Sequence, residues 1–303
     1  MSRSAATWNA FARHVAQEHR SRRLKTCSIP MHTHHLAVRD TRLTIHSSGS
    51  GLPVVLLHAF PLDHGMWERQ APLAESVRLI VPDLRGFGGS GSVPDSIAGF
   101  ADDVVAVLDA LHVERPAVIC GISMGGYVAQ HVAARHADRV AALVLVDTRL
   151  EADTPEARTN RVELAGKVGR LGQSILADAM IPRLLAAVRS DADAAAIARR
   201  AENDALLRVM IERQRLPTIQ GALAALGDRP DMTEAMRHVR APTLLVAGAE
   251  DQITPPACLE TAEELIPNAK LLIVPAAGHL VPLEAPEIFN RALLEFLAEA
   301  ISG

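Results

Sequence analysis

Ala117-Val118-Ile119-Cys120-Gly121-Ile122-Ser123-Met124-Gly125-Gly126-Tyr127 is the stretch on which the reading of this chain turns. Its first four residues form a short apolar run with the character of a buried strand, and Tyr127 to Arg135 reads as helix. Between them lies Gly-x-Ser-x-Gly. A serine at a sharp turn from strand into helix stands exposed at the end of a sheet, which is what a nucleophile elbow requires. Such a turn is strained, and the positions two before and two after the serine must be small for strand and helix to pass closely. Gly121 and Gly125 meet that need. The pattern also arises by chance in glycine-bearing loops, so the flanking sequence has to decide.

Outward in both directions, strand alternates with helix. Pro53 to Leu57, Leu79 to Pro82, Ala142 to Val146, Thr243 to Ala247 and Leu271 to Val274 are continuous apolar runs. That is the signature of strands buried on both faces of a parallel sheet. His35 to Val38 and Arg42 to His46 read as a hairpin turning at Arg39-Asp40. Helical stretches fall near Ile97 to Leu111, Leu259 to Leu265 and Pro286 to Ala298. The alternation predicts an α/β fold with a doubly wound, mostly parallel central sheet flanked by helices. Ligands of such sheets bind at the carboxyl ends of the strands. From Thr148 to Arg240 only helical patterns occur, so residues 148–240 are expected to form a helical cap between core segments 35–147 and 241–303. Met180, Leu184, Leu185 and Met210 are expected inside that cap, and its many charges on a solvated face.

Composition bounds the function. Of 303 residues, 49% are hydrophobic and 22% charged, as in an ordinary globular chain. A formal charge of −4 gives no reason to expect nucleic acid or an anionic membrane surface as partner. No apolar run reaches the length of a membrane-spanning helix. Cys27, Cys120 and Cys258 have neither metal spacing nor a disulfide pattern, which suits a reducing, cytoplasmic location. Residues 1–34 form a basic N-terminal extension, with Arg3, Arg13, Arg20, Arg22, Arg23 and Lys25 against the single acid Glu18 within its first thirty residues. It is expected to be disordered, or to precede a true start at Met31; an organelle targeting segment is the other reading. A homo-oligomer is compatible with all of this.

A serine nucleophile needs a base to take its proton and a group to orient that base. Two post-strand loops provide candidates in the order acid, then histidine. Gly248-Ala249-Glu250-Asp251 follows the Thr243 strand, and Pro275-Ala276-Ala277-Gly278-His279 follows the Leu271 strand. Both belong on the rim that carries Ser123. Asp251 is preferred to Glu250 because a shorter side chain in a turn holds an imidazole more rigidly. The developing oxyanion needs backbone N–H donors fixed in advance. Met124 N–H, at the start of a helix, is one. Phe60 N–H, in the loop His58-Ala59-Phe60-Pro61, is the other. The Phe60 and Tyr127 rings are then candidate walls of a substrate pocket, and His58 a packed support for its loop.

Taken together, these motifs resemble the α/β-hydrolase superfamily from about Leu36 to Ala300, through His58 to Pro61, Asp83 to Ser90, Gly121 to Gly126, Asp251 and Gly278-His279. Within it, the Phe-Pro after the oxyanion loop and the Ser-Met-Gly-Gly elbow are similar to the enol-lactonase, arylesterase and cofactor-free haloperoxidase group. The resemblance implies a triad of Ser123, Asp251 and His279, no metal, no cofactor, and a cap that shapes the acyl pocket. It implies a small-molecule ester or lactone as substrate, and a structural role for Asp83 to Ser90. One departure stands out: the family commonly has glycine at the position of Ala59, and a methyl is harmless there only at negative φ. Two alternatives share the same motifs. One is carbon–carbon bond or enol-lactone hydrolysis in aromatic catabolism, with Arg149, Arg158 or Arg161 holding a substrate carboxylate. The other is a ligand-sensing protein that retains the triad but turns over slowly.

Overall fold

The computed structural model describes residues 31–190 and 192–301; the basic stretch read in the first thirty residues lies outside them. Eight strands make one sheet in the order β1-β2-β4-β3-β5-β6-β7-β8. β1 (His32–Val38) and β2 (Thr41–Ser48) form the expected antiparallel hairpin, turning through Arg39 at φ 52°. The hairpin starts earlier than the sequence suggested. His32, Thr33 and His34, expected to belong to the N-terminal extension, pair with Ser47, His46 and Ile45.

β2 runs antiparallel to β4 (Arg78–Pro82). β4, β3 (Pro53–Leu57), β5 (Ala117–Ile122), β6 (Val140–Val146), β7 (Thr243–Gly248) and β8 (Ala269–Val274) are mutually parallel. β3, β5 and β7 are buried along their whole length, which is why they read as unbroken apolar runs. From β3 the chain steps one way to β4 and returns the other way to β5. A parallel sheet opens a crevice at such a reversal, beyond the carboxyl ends of the two strands. The register sets those ends level: Leu57 pairs with Gly121, Ile122 with Val146, and Gly248 with Val274.

Helices flank the sheet. α1 (Ile97–Ala110) is capped by Ser96, whose Oγ accepts from Gly99 N–H at 2.9 Å, and it packs on α2 (Met124–Arg135). α2 in turn lies against β3, β5 and β6. A run of 3-10 turns, His64–Glu75, follows the β3 loop. No helical pattern marked it in the sequence, and Pro72 within it removes an N–H that a continuous α-helix would need.

Among the described residues between β6 and β7 lie five helices: α3 (Pro155–Leu171), α4 (Ser174–Leu184), α5 (Ala194–Glu212), α6 (Leu216–Gly227) and the short α7 (Thr233–Met236). α3 packs on α6 and α4 on α5. Leu184, Leu185 and Met210 are buried in this insert, whereas Met180 is only partly covered. The insert is held to the rim by polar contacts. Asp63, fully buried, receives both Arg213 Nε at 2.7 Å and Gln214 Nε2 at 2.9 Å, and Gln214 Oε1 accepts from Gly88 N–H at 3.1 Å. After β7 come α8 (Pro256–Leu265), and after β8 the single turn α9 (Val281–Glu284) and α10 (Pro286–Ile301).

Candidate active site

Ser123 sits between β5 and α2 at φ 51°, ψ −113°, a conformation that L-residues adopt only when their surroundings impose it. Three contacts impose it. Ser123 N–H donates to Val146 O at 3.0 Å, and Ser123 O accepts from Tyr127 N–H at 3.1 Å and Thr148 Oγ1 at 3.1 Å. The glycines make room. A Cβ on Gly121 would lie 2.0 Å from Gly125 O, and one on Gly125 would lie 2.1 Å from Leu57 O. The strand, the elbow and the helix therefore touch backbone to backbone. Among the described residues Ser123 Oγ makes no hydrogen bond; in free enzymes such bonds are often long and tighten only with substrate.

Asp251 and His279 come together on the same rim. His279 Nδ1 lies 2.8 Å from Asp251 Oδ2, and both side chains are almost wholly buried. Glu250, the rejected alternative, instead places its N–H on Ala277 O at 2.9 Å. The carboxylate is gripped locally: Asp251 Oδ1 accepts from Ile253 N–H at 2.7 Å and Thr254 N–H at 3.0 Å, and Oδ2 from Thr254 Oγ1 at 2.7 Å. Burial alone would raise its pKa. The bond to His279, the attraction of that ring and the Thr254 and Ile253 donors outweigh burial and hold it below the ordinary carboxylate value. His279 N–H donates to Leu184 O of the insert at 2.9 Å, which fixes the backbone of the loop. Its Nε2, the nitrogen turned away from Asp251, makes no hydrogen bond to a described residue.

On the other side of the crevice, Phe60 N–H has no partner among the described residues. Met124 N–H opens α2 and is one of the donors that a helix leaves unpaired in its first turn. Ala59 is not among the residues at positive φ, so its methyl group is accommodated without strain. His58 is buried and bonded at both nitrogens, Nδ1 to Ala59 O at 3.0 Å and Nε2 to Leu84 N–H at 3.0 Å. Since the Leu84 N–H can only donate, Nε2 is the acceptor and the ring is the neutral Nδ1–H form. Burial, the largest influence, likewise pushes the His58 pKa down. The Phe60 ring is buried edge-on against Phe87, at 6.4 Å between centroids. Tyr127 is buried too, with the Arg229 guanidinium of the insert 4.2 Å above its ring.

Several residues that shape this site carried no readable signal. Thr254 gains its role from a turn in which Asp251 bonds the N–H two residues on, and Asp-x-x-Thr is at best a faint turn motif. Asp147 follows β6 at φ 42°, fully buried; its Oδ1 accepts from Gly248 N–H at 2.8 Å and its Oδ2 from Val281 N–H at 3.2 Å. Burial, then the nearby Asp251 charge, raise its pKa well above the usual carboxylate range. Glu284 Oε2 accepts from Gly278 N–H at 2.8 Å while Oε1 accepts from Ala186 N–H at 2.7 Å, tying the histidine loop to the insert. Two of the three arginines considered for substrate carboxylates are engaged elsewhere. Arg149 Nη2 donates to Ile253 O at 2.6 Å, and Arg161 pairs with Asp153.

Comparison with known proteins agrees with this architecture. The family described as alpha/beta hydrolase fold matches residues 53–286. A pimeloyl-[acyl-carrier protein] methyl ester esterase of Chromobacterium violaceum is 33% identical over 260 residues, 84% of this chain and 98% of that protein. A thermophilic esterase of Thermogutta terrifontis, solved with malate bound, is 36% identical and superposes with a TM-score of 0.81 over 89% of this chain and 99% of its own. The enol-lactonase of Burkholderia xenovorans LB400 is 26% identical, with a TM-score of 0.79 over 88% of this chain and 100% of its own. With a match that runs from the first residue of β3 to the first residue of α10, the chain belongs to the α/β hydrolase fold family.

Proposed function

We propose that this protein is a serine hydrolase cleaving a small carboxylic ester or lactone through an acyl-enzyme. The observation that carries the reading is the buried Asp251–His279 pair, 2.8 Å apart, on the rim where Ser123 is held at positive φ. Ser123 Oγ attacks the carbonyl carbon while His279 Nε2 takes the hydroxyl proton. Asp251 holds the ring with Nε2 directed away from it and stabilises the imidazolium that forms. The Phe60 and Met124 N–H groups donate to the oxyanion, aided by the amino end of α2. Collapse of the tetrahedral adduct breaks the carbon–oxygen bond, and His279 returns the proton to the departing alkoxide. Water, deprotonated by His279, then attacks the acyl-enzyme and releases the acid and Ser123. In a lactone the departing alkoxide stays tethered to the acyl group. The named activities of the similar esterases and enol-lactonase support this substrate class.

The Ser123→Ala variant tests it. Turnover of short-chain acyl p-nitrophenyl esters and of simple lactones is expected to fall by about 10³-fold or more, with an unchanged far-UV circular dichroism spectrum. Full activity in the folded variant overturns the reading. Carbon–carbon bond hydrolysis is less favoured because Arg149 and Arg161 already serve backbone and carboxylate partners. A sensing role predicts a single slow turnover, so steady-state kinetics on wild-type protein separates it from an enzyme.

A further inference from the structure

Outside the Ser123 elbow, three metal-ligating side chains converge from three separate segments. His46 comes from β2, His64 from the end of the loop after β3, and Asp83 from the residue following β4. Their ligand atoms all lie within 4.8 Å of one another. His64 Nδ1 is 2.7 Å from Asp83 Oδ1, and His46 Nε2 is 3.9 Å from Asp83 Oδ2. The two imidazoles stack with their centroids 3.5 Å apart.

The carboxylate is set rigidly. It accepts from the backbone N–H groups of His64 and Gly89, each at 2.9 Å, and a Cβ on Gly88 would come within 2.3 Å of its Oδ2. His46 is held from behind, with Nδ1 3.2 Å from Thr33 Oγ1. Its Nε2 is buried and has no hydrogen-bond partner among the described residues. Where Thr33 Oγ1 accepts from Nδ1–H, Nε2 turns a lone pair towards Asp83 Oδ2, 3.9 Å away. In that tautomer two acceptors face each other in a buried place, an arrangement that a proton or a metal ion between them satisfies. A second-sphere hydroxyl on one ring nitrogen is also what orients the other nitrogen of a metal-bound histidine. Asp83 is 1% exposed but His64 is 30% exposed, so the cluster meets solvent on the His64 side.

We propose that His46 Nε2, His64 Nδ1 and the Asp83 carboxylate form a three-ligand site for a divalent transition-metal ion, with zinc as the fitting example. Two imidazoles and one carboxylate are a donor set such ions accept, at bond lengths of about 2.0–2.2 Å. Tetrahedral bonds of that length put ligand atoms roughly 3.3 Å apart. The observed 2.7 Å is a hydrogen bond between His64 and Asp83 that the ion would replace, taking the place of the proton on Nδ1, and the 3.9 Å separation of His46 from Asp83 would have to shorten. The rings, now 20° from parallel, tilt apart as both lone pairs turn to one ion. The ion would fasten the edge hairpin to the loops after β3 and β4, and through them to the segment that carries Phe60.

Full-length protein freed of metal with a chelator is titrated with Zn²⁺ by calorimetry, alongside His46→Gln, His64→Gln and the control His34→Gln. The expected result is one Zn²⁺ per chain, with a raised Tm, and affinity at least about tenfold weaker in the first two variants only. X-ray absorption at the zinc edge of the wild-type complex is expected to show two imidazoles and oxygen, and it does not depend on any variant folding. Absence of saturable uptake, equal affinity in all four proteins, loss confined to His34→Gln, or sulfur in the zinc shell would each overturn the site.

Discussion

Thr254 Oγ1 stands between Asp251 and His279: it donates to Asp251 Oδ2 at 2.7 Å and lies 3.2 Å from His279 Nδ1. The same carboxylate oxygen accepts from His279. The hydroxyl therefore fixes which face of the carboxylate meets the ring, from a position three residues along the chain.

Replacing it tests that role. Thr254→Val keeps the shape and leaves Asp251 one donor short. A hydrogen bond to a charged group contributes about 1.5–3 kcal/mol, so urea unfolding at neutral pH should show a loss of that order. The turnover of an acyl ester should fall while KM changes little, because the bond serves orientation of the base.

Asp251→Asn should lower the turnover number by about 10³–10⁴-fold, the scale seen when the orienting acid of a comparable triad is neutralised. It carries a pH signature as well. A carboxyl whose native pKa is depressed adds stability that is fully present above its unfolded value, about 3.9, and is lost as pH falls through the native one. Asp251 is of this kind. The stability gap between wild type and variant should thus be widest near neutral pH and close in strong acid. A gap that widened on acidification would contradict it.

Gly248→Ala should be far more damaging than a glycine-to-alanine change in an ordinary strand. The added Cβ would sit 1.9 Å from Gly278 O, one residue before His279. Backbone rather than a yielding side chain is in the way. A loss above about 4 kcal/mol is expected, seen as poor soluble yield or a Tm lowered by many degrees.

Arg213→Met tests how the helical insert is docked. Asp63 is fully buried, whereas Arg213 is about half exposed, at 45%, so the full penalty of breaking a buried pair does not apply. A loss of about 1–2 kcal/mol is expected. Amide hydrogens of α5 and α6 should exchange faster than those of β5 to β7. Uniform acceleration across the molecule would instead mean that the pair supports the whole fold.

Much of this was readable along the chain because it is local. β3, β5 and β7 announce themselves as apolar runs; Ser123 follows β5 directly, and Asp251 and His279 lie in the loops after β7 and β8. What stayed hidden is what only folding brings together. Arg213 and Asp63 are 150 residues apart, and Arg69 Nη1 reaches Leu283 O across 214. The His46–His64–Asp83 cluster has no ligand spacing because each member comes from a different segment. Asp147 looks in sequence like any acid ending a strand, and only its burial beside Asp251 marks it out. The start of β1 escaped the sequence reading for a related reason: His32-Thr33-His34-His35 is polar, and its strand character comes from pairing with β2.

The contact between the insert and the histidine loop has a practical consequence for redesign. Leu184 O receives the His279 N–H, Ala186 N–H donates to Glu284, and a Cβ on Gly278 would meet Ala186 N at 2.5 Å. The end of α4 is thus part of the scaffold that holds the His279 loop. Grafting a foreign insert would disturb the placement of His279, the base of the proposed mechanism, unless residues 184–186 travel with the host chain. Libraries aimed at new substrates belong on α3, α5 and α6, leaving that splice intact.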